Sequence, residues 1–358
     1  MTPAEEPRAA VDFRMIYYAS FVPGMQETVK EIILERLPGA AIPKLLDGAV
    51  VFDTPCTYDK LNFHCFNNIF MVISIMEHAA QSKGRDSPLE AHMKKAAAAR
   101  GSPVISENNS KIKTFRIFCS FENQPAAISE ILRQETERFI TRESGLKVNR
   151  SDPGTEFWFL YRHEGFSVFM KRLTRHASFE KQLHPGELTP QMAWFLCKLS
   201  EPGHTDVAVD PFCGYGSIPE QRTKHFPFKK MYALDMDSGV LKITREKLKG
   251  KKEGIEVIQA DIHSVFDYIP KGSADAVITD PPWGLYRETQ IPLQQFYDDM
   301  AAVFAGLLKT GGRAVALTAK HEELKLAAEK TPGLSITRTL PVLVSGKKAA
   351  VFVIEKRG

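Results

Sequence analysis

The fold is decided by the stretch Asp210-Pro211-Phe212-Cys213-Gly214-Tyr215-Gly216-Ser217-Ile218, because this stretch lies between an apolar run at residues 207–209 and a helical pattern. Two glycines at such a strand-to-helix turn let the backbone approach a ligand closely, and the helix N-terminus offers free N–H groups. The stretch is not the dinucleotide fingerprint G-x-G-x-x-G, since Pro219 stands at the third glycine position. It predicts a nucleotide-type cofactor; taken alone, a plain structural turn is the alternative.

Further apolar runs alternate with helical patterns along the rest of the chain, at residues 231–234, 255–258, 276–278 and 313–317. This alternation predicts an α/β fold with a doubly wound, mostly parallel sheet. Ligands of such sheets bind in the crevice at the carboxyl ends of the strands. Asp235 and Asp261 follow the second and third runs of this sheet.

We predict that Asp235 accepts hydrogen bonds from the ribose hydroxyls of the cofactor and that Asp261 reads its adenine amino group. A helix cap or a solvated loop position is the alternative for Asp261. The predicted cofactor-binding residues are Asp210, Pro211, Phe212, Cys213, Gly214, Gly216, Asp235, Met236, Ala260 and Asp261.

A second motif, Asp280-Pro281-Pro282-Trp283-Gly284, follows the apolar run at residues 276–278. The exocyclic amine of a purine is a poor nucleophile because its lone pair is delocalised into the ring. The carboxylate of Asp280 and the main-chain carbonyl of Pro281 can accept the amine hydrogens and so orient the lone pair. Pro282 stiffens the loop, and Trp283 offers a face on which the base can stack. We predict these four residues as the catalytic group; a strand-terminating turn with a buried Trp is the alternative.

Together the two motifs resemble motifs I and IV of class I S-adenosylmethionine-dependent methyltransferases that act on exocyclic amines. The segment at residues 183–190, Leu-His-Pro-Gly-Glu-Leu-Thr-Pro, resembles the segment that precedes motif I in those enzymes. Over nearly the whole chain the sequence is similar to the THUMP-containing RNA guanine-N2 methyltransferases. Trp283 departs from that pattern, because these enzymes usually carry Tyr, Phe or His there, and Trp at this place also occurs in adenine-N6 enzymes.

The resemblance implies an α+β ferredoxin-like domain at residues 1–80, a THUMP RNA-binding domain at 111–176 and a Rossmann-like methyltransferase domain at 177–358. The polar, Ala-, Lys- and Ser-rich composition of residues 81–110 predicts a linker, although residues 89–100 could form a helix. It implies S-adenosyl-L-methionine as cofactor and tRNA as partner, with methylation of guanosine N2 at position 6 or 10. An enzyme for rRNA guanine or for adenine N6, and a non-catalytic RNA-binding protein, stay open.

Basic residues outnumber acidic ones by seven to four between residues 142 and 176. With the THUMP resemblance, this excess predicts phosphate contacts to folded RNA. From charge alone, a solvated face of an ordinary α+β domain is the favoured alternative. The predicted RNA-binding residues are Arg150, Arg162, Lys171, Arg172 and Arg175.

The composition is that of a folded protein: 358 residues, 43% hydrophobic, 25% charged, with a net charge of +4. Five scattered cysteines without a C-x-x-C pair favour a reducing compartment over a zinc or dithiol site, and His184 with Glu187 falls short of a ligand set, so we expect no metal. Cys213 is expected to be a small packing residue. The N-terminus does not have the pattern of a secretory signal and no apolar run is long enough for a membrane span. We expect a cytoplasmic monomer with no membrane partner, leaving an oligomer open.

Overall fold

The computed structural model describes residues 14–58, 61, 63–78, 87–99, 105, 111–122, 124–174, 183–250, 253–283, 292–344 and 346–358. The chain divides into two compact units, residues 1–21 with 26–176 and residues 22–25 with 177–358. No helix in the described ranges is both long and apolar enough to cross a membrane.

The described strands of the first unit form one mixed sheet in the order β2-β3-β1-β4-β9-β8-β5-β6, and β7 pairs with β5. The strands are β1 (Met15–Ser20), β2 (Ala41–Leu46), β3 (Ala49–Thr54), β4 (Asn68–Glu77), β5 (Thr114–Phe121), β6 (Gln124–Pro125), β7 (Lys147–Val148), β8 (Thr155–Arg162) and β9 (Phe166–Arg172). Because β4 pairs with β9, the strands before residue 80 and those after residue 111 belong to a single sheet.

The helices described in this unit are α1 (Gln26–Arg36), α2 (Pro88–Ala98) and α3 (Glu130–Ser144). Helix α2 lies within the predicted linker, yet Leu89 and Met93 are buried in the same core as Phe115 and Phe159. Ser87 and Glu90 form a reciprocal capping box at its first turn. Residues 88–98 are therefore part of the packed core, and this part of the linker prediction is wrong.

The described strands of the second unit form a sheet in the order β12-β11-β10-β13-β14-β16-β15. Its strands are β10 (Val207–Asp210), β11 (Lys230–Asp235), β12 (Ile255–Gln259), β13 (Ala274–Thr279), β14 (Leu308–Thr318), β15 (Leu334–Val344) and β16 (Lys347–Lys356). Its helices are α4 (Pro190–Leu199), α5 (Ser217–His225), α6 (Ser238–Leu248), α7 (Leu293–Leu307) and α8 (His321–Lys330), with a 3-10 helix at Ile262–Asp267.

Helices cover both faces of this second sheet. Ala233 of β11 packs with Cys213 and with Leu241 of α6, whereas its neighbour Leu234 packs in a cluster with Tyr297 and Phe304 of α7. Successive side chains of a strand point to opposite faces, so α6 and α7 lie on different sides. The predicted doubly wound α/β fold is confirmed.

The first five strands of the second unit, β10 to β14, are parallel. Strand β16 pairs antiparallel with both β14 and β15, and neither β15 nor β16 was predicted as a strand. Pro341 lies inside β15, which is tolerated because β15 is the edge of the sheet and its register shifts between Ile336 and Arg338.

Candidate active site

The loop between β10 and α5 bends on two glycines in the left-handed region. Gly214 has a φ of +47° and Gly216 a φ of +83°, and such values are easily adopted only by glycine. A Cβ on Gly216 would lie 2.8 Å from Cγ2 of Thr244 on α6, and the Thr244 hydroxyl donates to the Gly214 carbonyl at 2.6 Å. Helix α6 thus fixes the shape of the loop at the carboxyl edge of the sheet.

Asp210, the last residue of β10, is fully buried. Its Oδ1 accepts hydrogen bonds from the Phe212 N–H at 3.2 Å and from the Thr279 hydroxyl at 3.0 Å. Its Oδ2 is buried and has no hydrogen-bond partner among the described residues. Burial raises the pKa of this carboxyl well above its usual range, and the two donors oppose that shift. A carboxylate oxygen in this state is suited to receive a donor or a cation from a ligand.

Asp235 at the end of β11 is partly exposed and supports the same loop. Its carboxylate accepts from the Gly214 N–H at 3.0 Å and from the Asp237 N–H at 2.9 Å. A carboxylate has about four lone-pair sites, so these two bonds leave room for ligand hydroxyls. Met236 beside it is 60% exposed.

Asp261 follows β12 and begins the 3-10 helix. Its Oδ1 accepts from the His263 N–H at 2.9 Å, which is the capping role considered as an alternative. The side chain is half exposed, so one oxygen can still meet a ligand. Ala260 donates its N–H to the Asp235 carbonyl at 3.1 Å, which holds the ends of β11 and β12 together.

Asp280 comes directly after β13, and its carboxylate Oδ1 accepts a hydrogen bond from the Trp283 indole N–H at 2.9 Å. Burial raises the pKa of Asp280 to about 8, and the indole bond opposes this rise. Among the described residues, no Lys or Arg is paired with it. Pro281 is buried, and Pro282 and Trp283 are partly exposed. Trp283 therefore has a contact that the stacking prediction did not include: it donates to the carboxylate expected to orient the amine.

The two motifs meet because β10 and β13 are adjacent parallel strands, with Val209 opposite Val277. The Thr279 hydroxyl, one residue before the second motif, donates to the Asp210 carboxylate of the first. Residues 69 apart in sequence are thus hydrogen bonded at one edge of the sheet. Sequence reasoning placed both motifs at this edge but missed Thr279; its position between a strand and the Asp-Pro-Pro motif is the signal that could have identified it.

A buried pair of hydroxyl groups near Asp280 was also missed. Tyr297 of α7 and Thr318 of β14 are buried, and their oxygens are 2.7 Å apart. Burial raises the pKa of the Tyr297 phenol, and the negative charge of Asp280 raises it further. Tyr297 therefore stays protonated as a neutral donor beside the Asp280 site.

The loop that precedes α4 is tied to the cofactor loop through Glu187. Its buried carboxylate accepts from the His184 N–H and from the Ser217 hydroxyl, both at 3.1 Å, and pairs with Lys247 of α6. The His184 ring stacks on the Tyr215 ring with centroids 4.3 Å apart. These contacts are those of a structural loop, and among the described residues there is no group of His, Cys, Asp and Glu that could hold a metal.

Cys213, within the first motif, is 6% exposed and packs with Ala233 and Leu241. Its N–H donates to the Leu234 carbonyl at 2.7 Å. Burial raises the pKa of its thiol, so the reactive thiolate is disfavoured. This is the packing role predicted from the sequence.

The predicted RNA-binding residues are mostly not on the surface. Arg162, Lys171 and Arg172 are buried in the first unit. Arg162 pairs with Glu164 at 2.8 Å, and Arg172 pairs with Glu156 at 2.7 Å. Buried and paired arginines stabilise the sheet and cannot reach a phosphate without losing their partners.

The other two predicted RNA contacts have different outcomes. Arg150 is half exposed, but its guanidinium bonds both Glu137, at 2.9 Å, and Glu130, at 2.8 Å. Arg175 lies outside the described residues. The surface predicted from the charge excess is therefore largely an internal set of ion pairs, because most of the acidic residues in the same segment face the basic ones.

Residues 178–346 match the family described as UPF0020, RMKL-like, methyltransferase domain. The second unit is a methyltransferase domain. Class I methyltransferase folds of this kind use S-adenosyl-L-methionine, and the residues present fit that cofactor: the unpartnered Asp210 oxygen, the glycine-bent loop and the Asp235 carboxylate lie at one edge of the sheet. The expected cofactor and enzyme class are thereby confirmed.

The chain is 28% identical over 278 residues to a tRNA (guanine(6)-N2)-methyltransferase of Thermus thermophilus, a match that covers 76% of this chain and 80% of that protein. It is 25% identical over 234 residues to a U6 snRNA (guanine-N(2))-methyltransferase of Bos taurus, covering 62% of this chain but only 44% of the bovine protein. The crystal structure of TrmN from Thermus thermophilus has the same fold, with a TM-score of 0.76 over 96% of this chain and 99% of that one at 24% identity. The THUMP assignment of residues 111–176 stays a prediction.

Proposed function

We propose that this chain transfers a methyl group from S-adenosyl-L-methionine to the exocyclic N2 amine of a guanosine in tRNA, at position 6 or 10. The observation that carries the proposal is the Thr279–Asp210 hydrogen bond, which brings the amine-binding motif beside the cofactor loop. The names of the relatives support guanine N2 as the acceptor, and the Thermus relative supports tRNA and position 6.

The cofactor supplies an electrophilic methyl group on a positively charged sulfur. Asp210 would hold its polar end, and Asp235 and Asp261 would accept from its ribose and adenine. These contacts would use lone pairs that the folded chain leaves available, such as Oδ2 of Asp210. The cofactor site is therefore formed before the RNA binds.

Asp280 and the Pro281 carbonyl accept the two amine hydrogens of a guanine that has been flipped out of its helix. This orientation would aim the nitrogen lone pair at the methyl carbon of bound S-adenosyl-L-methionine, which would supply the methyl group and keep the electrons of its C–S bond as a neutral thioether. The nitrogen then carries a positive charge, and its proton leaves to Asp280 or to solvent. The ring of Trp283 supports the base from one side.

The test is to incubate the protein with methyl-labelled S-adenosyl-L-methionine and unmodified bulk tRNA, and to identify the labelled nucleoside after digestion. We expect N2-methylguanosine from the wild type and none from Asp280→Ala, which should still bind the cofactor. Substantial turnover by Asp280→Ala would contradict the assignment of Asp280.

Other products would redirect the proposal. Labelled N6-methyladenosine would make Trp283 the determinant of an adenine site, as in the enzymes that carry Trp there. Label in rRNA or U6 snRNA but not in tRNA would keep the chemistry and change the substrate. RNA binding with no label in any RNA would support a non-catalytic role.

A further inference from the structure

Helices α2 and α3 of the first unit enclose an open cleft of about 550 Å³. Its α2 wall carries Lys94 beside the small side chains of Ala97 and Ala98, and its α3 wall carries Arg138 and Arg142. The alanines leave the room that larger side chains would fill. None of these residues was among the predicted RNA contacts.

The charge of this cleft is predominantly positive. Lys94, Arg138 and Arg142 line it against the single carboxylate of Glu135. Lys94 and Arg138 are exposed. Arg142 is 57% exposed in its side chain, pairs with Glu143 at 3.0 Å and lies 5.5 Å from the Phe139 ring.

Two of the other carboxylates of α3 are engaged away from the cleft, and a third, Glu143, pairs with Arg142. Glu130 and Glu137 both accept hydrogen bonds from Arg150, and Glu130 also pairs with Arg133 at 3.5 Å. In the described part of the chain no carboxylate is paired with Arg138. Arg138 therefore differs from Arg162 and Arg172, whose charges are matched inside the fold.

We propose that the α2–α3 cleft binds the phosphate backbone of the RNA substrate. Arg138 and Arg142 are four residues apart on one face of α3, about 6 Å along the helix axis, so their guanidinium groups can reach neighbouring phosphates of one strand. Lys94 contacts the strand from the opposite wall. Contacts of this kind position RNA without reading its sequence. The proposal rests on the proposed function, since it takes RNA as the substrate.

The test compares the wild type with the double variant Lys94→Gln/Arg138→Gln. Binding of fluorescein-labelled, in vitro transcribed tRNA is measured at several NaCl concentrations. Loss of two phosphate contacts should weaken binding about tenfold near 0.1 M salt and make the slope of log K against log[salt] less negative by about 1.5. Both side chains are exposed, so thermal unfolding should stay as in the wild type.

Arg133→Gln is the matched control. It removes one positive charge from the same helix by the same substitution, but Arg133 pairs with Glu130 and does not line the cleft. We expect its tRNA affinity to stay within about twofold of the wild type, with an unchanged salt slope.

The outcomes separate this proposal from the function on which it rests. If the wild type binds and methylates tRNA but the double variant keeps the same affinity and slope, only the cleft proposal is overturned. An equal loss in Arg133→Gln also overturns it, because the effect would then be one of general charge. If the wild type neither binds nor methylates any RNA, both proposals fail.

Discussion

In the first unit, the buried guanidinium of Arg172 faces the carboxylate of Glu156, which also accepts from Trp158 and Arg116. In the methyltransferase unit, the buried Asp210 and the partly exposed Asp280 receive only neutral donors from the described residues: a hydroxyl, a main-chain N–H and an indole. Their pKa values are raised, whereas that of Glu156 is lowered by its partners.

This difference separates charged side chains that stabilise the fold from charged side chains that are available to a ligand. A buried carboxylate without a cation destabilises the folded state, because its ionised form has lost water and gained no opposite charge. A protein can retain such a group where a ligand supplies the missing charge or donor. In this protein, a carboxylate that is buried without a basic partner therefore indicates the candidate site more reliably than a local excess of Arg and Lys indicates an RNA-binding surface.

The largest expected effect is that of Asp280→Asn. Removing the charge should lower the single-turnover rate by about 10²- to 10³-fold, because the carboxylate stabilises positive charge that develops on the amine. The same substitution should stabilise the protein. Since the folded-state pKa is about 8 against an ordinary 3.8, the free energy of unfolding of the wild type falls as pH rises from about 4 to 8.

Asp280→Asn lacks that loss, so its unfolding temperature should exceed that of the wild type at pH 9 and match it at pH 4. Thermal unfolding at the two pH values checks the sign. A variant less stable than the wild type at pH 9 would show that Asp280 holds the fold, and the comparison between the units would fail.

The second effect concerns Glu156→Gln. This change leaves Arg172 buried without its charge partner, and we expect it to lower the free energy of unfolding by about 3 kcal/mol. Urea unfolding measures the loss. Glu130→Gln, in an exposed carboxylate that also bonds arginine, is the control and should change stability little. Equal effects of the two variants would mean that burial of the pair does not matter.

Thr279→Val tests the bond between the two motifs. It should weaken binding of S-adenosyl-L-methionine about tenfold, corresponding to the ~1–2 kcal/mol of one lost hydrogen bond to a buried group. Isothermal titration calorimetry measures this affinity. Thr279→Ser restores the hydroxyl and should bind as the wild type does; a Ser variant as weak as the Val variant would assign the effect to packing of the methyl group.

The smallest effect is a shift in the pH profile. kcat/KM should rise with pH towards a plateau above about 8, as Asp280 loses its proton. Trp283→Phe keeps an aromatic face but removes the indole N–H that opposes the rise of this pKa, so the profile should move to higher pH by about half a unit. In Asp280→Asn, this rise of kcat/KM with pH should be absent. A profile unchanged in Trp283→Phe would leave Trp283 with stacking alone.

Much of the methyltransferase unit was predictable, because the strands of its parallel part are short apolar runs, three of which end at or next to a predicted site residue. Asp210, Asp235 and Asp280 were placed correctly at strand ends for that reason. Strands β15 and β16 were missed, since Pro341 interrupts the first of them. The segment at 81–110 was predicted to be a linker because of its composition, although Ser87 and Glu90 have the spacing of a capping box.

The pairing of the arginines depends on strand register, which composition does not contain. Strands β8 and β9 form a hairpin, and counting outward from its turn places Glu156 beside the Lys171–Arg172 end of β9, where Phe157 lies opposite Lys171. The pair Glu156–Arg172 could therefore have been found from the hairpin. The pair of Arg150 with Glu137 could not, because it joins a helix to a loop.

Because β10 and β13 are neighbours, the two motifs that follow them are held one interstrand spacing apart, about 4.8 Å. The chain between them, residues 211 to 273, leaves this pair and returns to it after forming β11 and β12 at one side of the sheet. Insertions or deletions at the opposite, amino-terminal edge of the sheet should therefore leave the alignment of the two motifs unchanged.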